Sequence, residues 1–240
     1  LRARLTGWRE IGPNTRHFEF EALDWNAAFV PGQFISVIEN LGEDEVTRAY
    51  SVASPPGEGK FALCANLVQD GRFTPFLFGM QAKDEIAEIA EIAEIAEIGF
   101  KGPYGGFILR RPAADSIFVA TGTGIAPFRS MLMAQLGEHP ERRFTLIFGV
   151  RHEEGLLYHA ELLDLAARHE NFDYRPTLTQ PGPGWTGLTG RVQGHVLGAL
   201  GERRDVDVYM CGMREMIDDL RAQLKGTGLD RKRMIYEKYD

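Results

Sequence analysis

Ile117-Phe118-Val119-Ala120-Thr121-Gly122-Thr123-Gly124-Ile125-Ala126-Pro127-Phe128 joins an apolar run to two spaced glycines and a proline suited to a first helical turn. Phe128, Met131, Leu132, Gln135 and Leu136 then recur at the spacing of one helix face, so the stretch reads as strand, turn, helix. Glycines let a backbone come close to a pyrophosphate, and the helix start offers unpaired N–H groups at the positive end of its dipole. Thr121, Gly122, Thr123, Gly124 and Pro127 are therefore candidate phosphate-binding residues. Pro127 stands where a dinucleotide fingerprint carries its third glycine, so the full motif is not matched, and a bare strand-to-helix turn is the alternative reading.

Apolar strands alternate with helical stretches through the rest of the C-terminal half. Strand-like runs fall at 144–150, 174–179, 206–210 and 234–236, and Met213, Met216, Ile217, Leu220 and Leu224 give a helical stripe. This alternation predicts a Rossmann-like parallel sheet covered on both faces. Ligands of such sheets gather beyond the carboxyl ends of the strands, which places Cys211 and Gly212 on the same rim as Gly122 and Gly124. For Cys211 alone, a small buried residue is the favoured reading.

Residues before Arg111 have another rhythm. Phe18, Phe20 and Ala22 alternate with His17, Glu19 and Glu21, and short runs at 33–38, 49–53 and 60–68 are separated by Pro31-Gly32 and Pro55-Pro56-Gly57. Many short strands without a long amphipathic helix predict an antiparallel β-barrel or sandwich. The domain boundary is expected at Arg110-Arg111-Pro112, giving domains 1–111 and 112–240.

With 240 residues, 44% of them hydrophobic, the chain suits one large domain or two modest ones and excludes a disordered or collagen-like protein. Its 27 Lys and Arg against 34 Asp and Glu leave a net charge of −7, which argues against nucleic acid as a partner. Two cysteines are too few for a disulfide framework or a four-thiolate cluster. No apolar run is long enough for a membrane helix, and Leu1-Arg2-Ala3-Arg4 leads into no signal-peptide core, so a cytoplasmic protein is expected. Residue 1 is Leu, which leaves room for a removed upstream segment.

Between Glu85 and Ile98 the triplet Glu-Ile-Ala repeats, spacing the isoleucines by three, a period that matches neither helix nor strand. It reads as an expanded insertion or a sequence error rather than a catalytic element. His139, His152, His159, His169 and His195 show no metal-ligand spacing, and no metal is expected. Asp218 and Asp219, like Asp205 and Asp207, read as solvated charges.

Arg48-Ala49-Tyr50-Ser51 sets a permanent cation, an aromatic face and a hydroxyl on one short strand, with Arg48 and Tyr50 sharing a face. Alone it is also what a snorkelling Arg beside a packed Tyr looks like. Taken in order with Gly102-Pro103-Tyr104-Gly105, the Thr121–Pro127 loop, Cys211-Gly212-Met213 and Tyr236-Glu237-Lys238-Tyr239, it resembles the ferredoxin–NADP(+) reductase family over nearly the whole chain.

The resemblance implies an FAD-binding barrel followed by an NAD(P)-binding α/β domain, with hydride moving between nicotinamide and flavin. Arg48 would then pair with the FAD pyrophosphate, Tyr50 would lie against the flavin, and Ser51 would hydrogen-bond near its reactive nitrogen. Gly71, Arg72, Phe73 and Thr74 would form a second flavin-phosphate segment, with Thr74 where serine is more usual. Ser51, Cys211 and Tyr239 would be the catalytic group. Tyr239 would cover the flavin face, whereas Tyr236 is expected to pack in the strand 234–236. Arg151 follows a strand where an NAD-specific fold places an acid, which favours NADP(H) over NAD(H). Arg191 would be a second phosphate partner; Glu153, Glu154 and Gln180 weigh against that preference.

The implied partner is a separate ferredoxin or flavodoxin. Rival readings are the reductase component of an oxygenase or flavohaemoglobin system and a non-redox nucleotide-binding regulatory module.

Overall fold

The computed structural model describes residues 1–25, 29–81 and 96–239; most of the Glu-Ile-Ala repeat lies outside them. The chain forms two units, Leu1–Ile108 with Arg129–Met131, and Leu109–Phe128 with Leu132–Asp240.

The first unit holds strands β1 (Arg2–Gly12), β2 (Thr15–Ala22), β3 (Phe34–Leu41), β4 (Asp44–Ser51), β5 (Lys60–Asn66) and β6 (Glu97–Tyr104), with a short helix α1 (Phe73–Gly79). They pair in the order β4-β3-β6-β1-β2-β5, and each resolved pairing is antiparallel. The sheet curls until its ends meet. Val52 bridges to Leu63, and Ala53 N–H donates to Ala62 O at 2.8 Å, closing the six strands into the expected barrel. Closure removes the unpaired edges of an open sheet. Inside, Phe18, Phe20, Phe61 and Phe100 are all but fully buried, and each such ring contributes about 1.5–3 kcal/mol.

One residue departs from the alternation. His17 was expected to share the solvent face of Glu19 and Glu21, but it is buried opposite Cys64 of β5.

The second unit holds β7 (Ser116–Thr121), β8 (Phe144–Val150), β9 (Phe172–Leu178), β10 (Leu188–Thr189), β11 (Asp207–Met213) and β12 (Met234–Tyr239). Its order is β10-β9-β8-β7-β11-β12, with all pairs parallel. Helices α2 (Ala126–Gln135), α3 (His159–Arg168), α4 (Val192–Leu200) and α5 (Arg214–Gly226) connect or flank the strands. One sheet face packs Ile117, Val119, Val208 and Met210 against α4 and α5. On the other, Phe118 stacks on Phe128 at 5.1 Å and meets Tyr209 at 5.4 Å. Continuous apolar strands are what burial on both faces requires. Among the described residues no helix is long and apolar enough to cross a membrane.

Strand β7 lies between β8, which follows it in the chain, and β11, which returns from the far side. That reversal opens a crevice beyond the carboxyl ends of β7 and β11.

Candidate functional site

In the barrel, β4 pairs with β3 so that Arg48 faces Val37, Tyr50 faces Ile35, and Ser51, the last residue of the strand, faces Phe34. Ala49, between Arg48 and Tyr50, is exposed. Arg48 is exposed too, and its guanidinium donates to the Thr47 carbonyl at 2.8 Å. Tyr50 is half-buried against Phe73, with ring centroids 6.0 Å apart, and burial pushes its phenol up to about 12 although the Arg48 charge pulls it down. The Ser51 hydroxyl is buried. Two stretches distant in sequence, Arg48-Ala49-Tyr50-Ser51 and Gly71-Arg72-Phe73-Thr74, thus meet through the Tyr50 and Phe73 rings.

The second stretch is a tight turn. Gly71 N–H donates to Val68 O at 2.9 Å, and Thr74 Oγ1 accepts the Val68 N–H at 2.9 Å. A side chain at Gly71 would crowd Val68, its Cβ 3.0 Å from the Val68 carbonyl oxygen. Arg72 is drawn to the turn between β3 and β4, where it pairs with Asp44 at 2.5 Å and donates to the Leu41 carbonyl. Among the described residues, the Arg48 guanidinium donates only to its own neighbour's carbonyl.

In the α/β unit the glycines divide their work. Gly122 takes a φ of +54°, and a Cβ there would meet nothing within 4 Å, so the turn opens onto free space where α2 begins. At Gly124, by contrast, a Cβ would lie 2.4 Å from the Cys211 carbonyl oxygen. Gly212, at φ +134°, would bring its Cβ to 2.2 Å from Thr121 Oγ1. Gly124 and Gly212 therefore let the ends of β7 and β11 close on each other, while Gly122 gives the turn its shape and its opening. Thr123 lies in the single 3-10 turn after Gly122, and Pro127 sits in the first turn of α2, where a missing N–H costs nothing.

Helix α5 starts at Arg214, one residue later than expected. Met213 ends β11 and is 62% exposed on the rim, and its N–H donates to Thr121 Oγ1 at 3.3 Å.

Cys211 is fully buried, paired with Ala120 on one side and Glu237 on the other. Burial first, and then the Glu237 carboxylate, push its thiol well above its ordinary range, while a hydrogen bond with Tyr239 pulls the other way. Cys211, Glu237 and Tyr239 form one cluster. Glu237 was not singled out from the sequence. Its position two residues before Tyr239 puts both on one strand face, but only the pairing of β12 with β11 sets that face beside the thiol.

Strand β12 also runs three residues further than expected, so Tyr239 is its last residue, paired with Met213. Tyr236 is not packed within the sheet. It is 40% exposed, and the Arg221 guanidinium lies 3.9 Å from its ring centre, because β12 is the edge strand and leaves that face open.

Arg151 follows β8 and Arg191 caps α4, both exposed at the carboxyl rim of the sheet. Gln180 N–H donates to Arg151 O at 2.9 Å. Strand β10, with two residues, left no periodic signal in the sequence, yet it delivers Arg191 to this rim.

Two family models match the chain: the oxidoreductase FAD-binding domain over residues 2–108 and the oxidoreductase NAD-binding domain over 118–222. Ferredoxin–NADP reductase B of Sorangium cellulosum is 35% identical over 250 residues, covering 99% of this chain and 97% of that protein. The toluate 1,2-dioxygenase electron transfer component of Pseudomonas putida is 28% identical, covering 99% of this chain and 67% of that protein. In fold, the chain matches a ferredoxin NADP+ reductase from Neisseria gonorrhoeae, solved with bound FAD and NADP, at a TM-score of 0.80 and 23% identity, covering 99% and 98% of the two chains.

Proposed function

Because the chain belongs to the ferredoxin–NADP reductase family, we propose that it is an FAD-dependent oxidoreductase that passes electrons between NADPH and a separate one-electron carrier, a ferredoxin or flavodoxin. The observation that carries this reading is the end-to-end match to a ferredoxin–NADP reductase, 97% of which the chain covers. A second reading, the electron-transfer component of an oxygenase, is favoured by the toluate dioxygenase relative, two-thirds of which the chain spans.

The residues present fit both cofactors. An exposed guanidinium beside a half-buried phenol offers a phosphate charge partner and an aromatic wall, and the open turn at Gly122 would admit a phosphate where a Cβ would fill the space. FAD, when bound, supplies the conversion between two-electron and one-electron transfer.

The chain's own residues bind, orient and hold protons. Arg48 would pair with the flavin pyrophosphate, helped by the segment Gly71 to Thr74. With its phenol raised to about 12, Tyr50 stays neutral and presents a ring and an O–H donor. The buried Ser51 hydroxyl would donate near the reactive flavin nitrogen. Thr121 to Gly124 and Pro127 would receive the NADPH pyrophosphate, and Gly212 and Met213 would line the nicotinamide end. Cys211 would stay a thiol, held neutral by burial and by Glu237, and so would add no negative charge where hydride departs. Tyr239 would stack on the flavin until the nicotinamide displaces it. Arg151 and Arg191 would take the 2′-phosphate, which favours NADPH over NADH.

The test is direct. Purified protein should carry FAD without a covalent link, and NADPH should bleach its absorbance under anaerobic conditions. Ferredoxin or flavodoxin should then accept the electrons faster than a Rieske-type or oxygenase partner. A folded protein that binds no added FAD would overturn the reading.

A further inference from the structure

Three hydrogen bonds meet behind Arg191. The Thr177 hydroxyl, fully buried on β9, donates to the Gly190 carbonyl at 2.9 Å. His195, on the first turn of α4, brings Nε2 within 2.9 Å of the Thr189 carbonyl and 3.1 Å of Thr177 Oγ1. A carbonyl can only accept, and the Thr177 proton is already given to Gly190, so Nε2 carries the proton and shares it between both oxygens. Gly190 completes the lock. Its φ is +95°, and its N–H donates to Leu178 O at 2.8 Å.

The turn Thr189-Gly190-Arg191 is thereby fixed on the strand side, and two contacts fix it on the helix side. Gly149 of β8 has no Cβ, which lets Val192 Cγ1 come to 2.5 Å of where one would stand. Gln193 Nε2 donates to Asp219 Oδ2 of α5 at 2.8 Å. Their joint effect is to set the backbone from which the exposed Arg191 side chain extends, next to Val192, which packs on Gly149 of the strand that Arg151 follows.

We infer that His195 is a positioning residue for coenzyme choice: acting with Thr177, it holds the turn that aims Arg191 at the 2′-phosphate of NADPH. The inference rests on the proposed role of Arg191. A guanidinium on a fixed turn loses less freedom on binding phosphate than one on a loose turn, so releasing the turn weakens binding of the phosphorylated coenzyme alone.

The experiment compares kcat/KM for NADPH and NADH in the FAD-loaded wild type and in four variants. His195→Ala should lose about tenfold with NADPH, in KM rather than kcat, and less than about twofold with NADH, the size expected for a lost hydrogen bond. Thr177→Val should do the same. His195→Gln, which keeps a donor at the Nε2 position, should restore most of the loss. Arg191→Ala should lower the NADPH-to-NADH ratio. If Arg191→Ala lowers that ratio but His195→Ala and Thr177→Val do not, the inference is overturned and the role of Arg191 stands. Equal losses with both coenzymes also overturn it, since the lock would then serve the fold alone. An unchanged ratio in Arg191→Ala removes the premise and the inference together.

Discussion

Thr121 Oγ1 accepts the N–H of Met213 at 3.3 Å and would stand 2.2 Å from a Cβ on the intervening Gly212, so one hydroxyl closes the rim between β7 and β11. Gly212→Ala should cost about 1–3 kcal/mol, from the clash and the positive φ together, lowering Tm by about 2–4 °C per kcal/mol. Gly122→Ala meets no atom. It should cost only about 1–2 kcal/mol of left-handed strain yet weaken NADPH binding more than Gly212→Ala does relative to its stability loss. Thermal melts and coenzyme titrations of the two variants check this; reversed orders would contradict it.

Replacing Arg48 by Ala should weaken FAD retention by about 1.5–3 kcal/mol, roughly 10- to 150-fold in Kd. Arg72→Ala should do less, because that guanidinium is engaged by Asp44 and the Leu41 carbonyl. Flavin fluorescence titration of the apoprotein reads both.

Stability should fall on the alkaline side. The Cys211 thiol is raised above its ordinary 9.0, and Tyr50 and Tyr209 are raised from 10.0 to about 12, in each case chiefly by burial. A raised acid loses its proton first in the unfolded chain, so its contribution is whole below the ordinary pKa and is lost as pH rises towards the folded value. Urea midpoints at about pH 8 and about pH 10.5 measure the drop. Cys211→Ala should flatten part of it, and native Cys211 should resist alkylation that it undergoes once unfolded.

On the acid side His17 acts in the opposite sense. Burial, helped by the Arg129 and Arg9 charges, lowers it from 6.5 to about 3, so the folded barrel holds it neutral. Its contribution is whole above about pH 6.5 and is lost as pH falls towards 3. Equilibrium unfolding between those limits should show a one-proton slope that His17→Gln removes. A variant as acid-sensitive as the wild type would assign the slope elsewhere.

Arg151→Ala should lower kcat/KM for NADPH several-fold, and for NADH by much less, since an exposed charge-assisted contact to phosphate is lost only with the former. Steady-state kinetics with the two coenzymes decide it. Equal efficiencies throughout would remove Arg151 from the phosphate site.

The fold was legible because its signals are local. The run from Ile117 to Ala120 has to be buried on both sides, two glycines and a proline have to follow it, and Phe18 and Phe20 alternate as a barrel strand demands. Those constraints act between near neighbours, and so they are written in order along the chain. Arg48, Tyr50 and Cys211 were singled out as candidates for the same reason, each standing in a short run of distinctive composition.

Local patterning along the chain thus specified an antiparallel barrel or sandwich, a parallel sheet with helices on both faces, and the runs to which the chemistry is assigned as a proposal. Only the packing of separate elements decides which residues meet: Phe73 against Tyr50, Glu237 beside Cys211, and His195 against Thr177. Strand pairing and helix docking join residues dozens of positions apart, and their register depends on the summed burial of whole elements. Gly124 shows the limit best. Its spacing suggested room for a phosphate, whereas the fold uses that room for the backbone of Cys211, and leaves only Gly122 open.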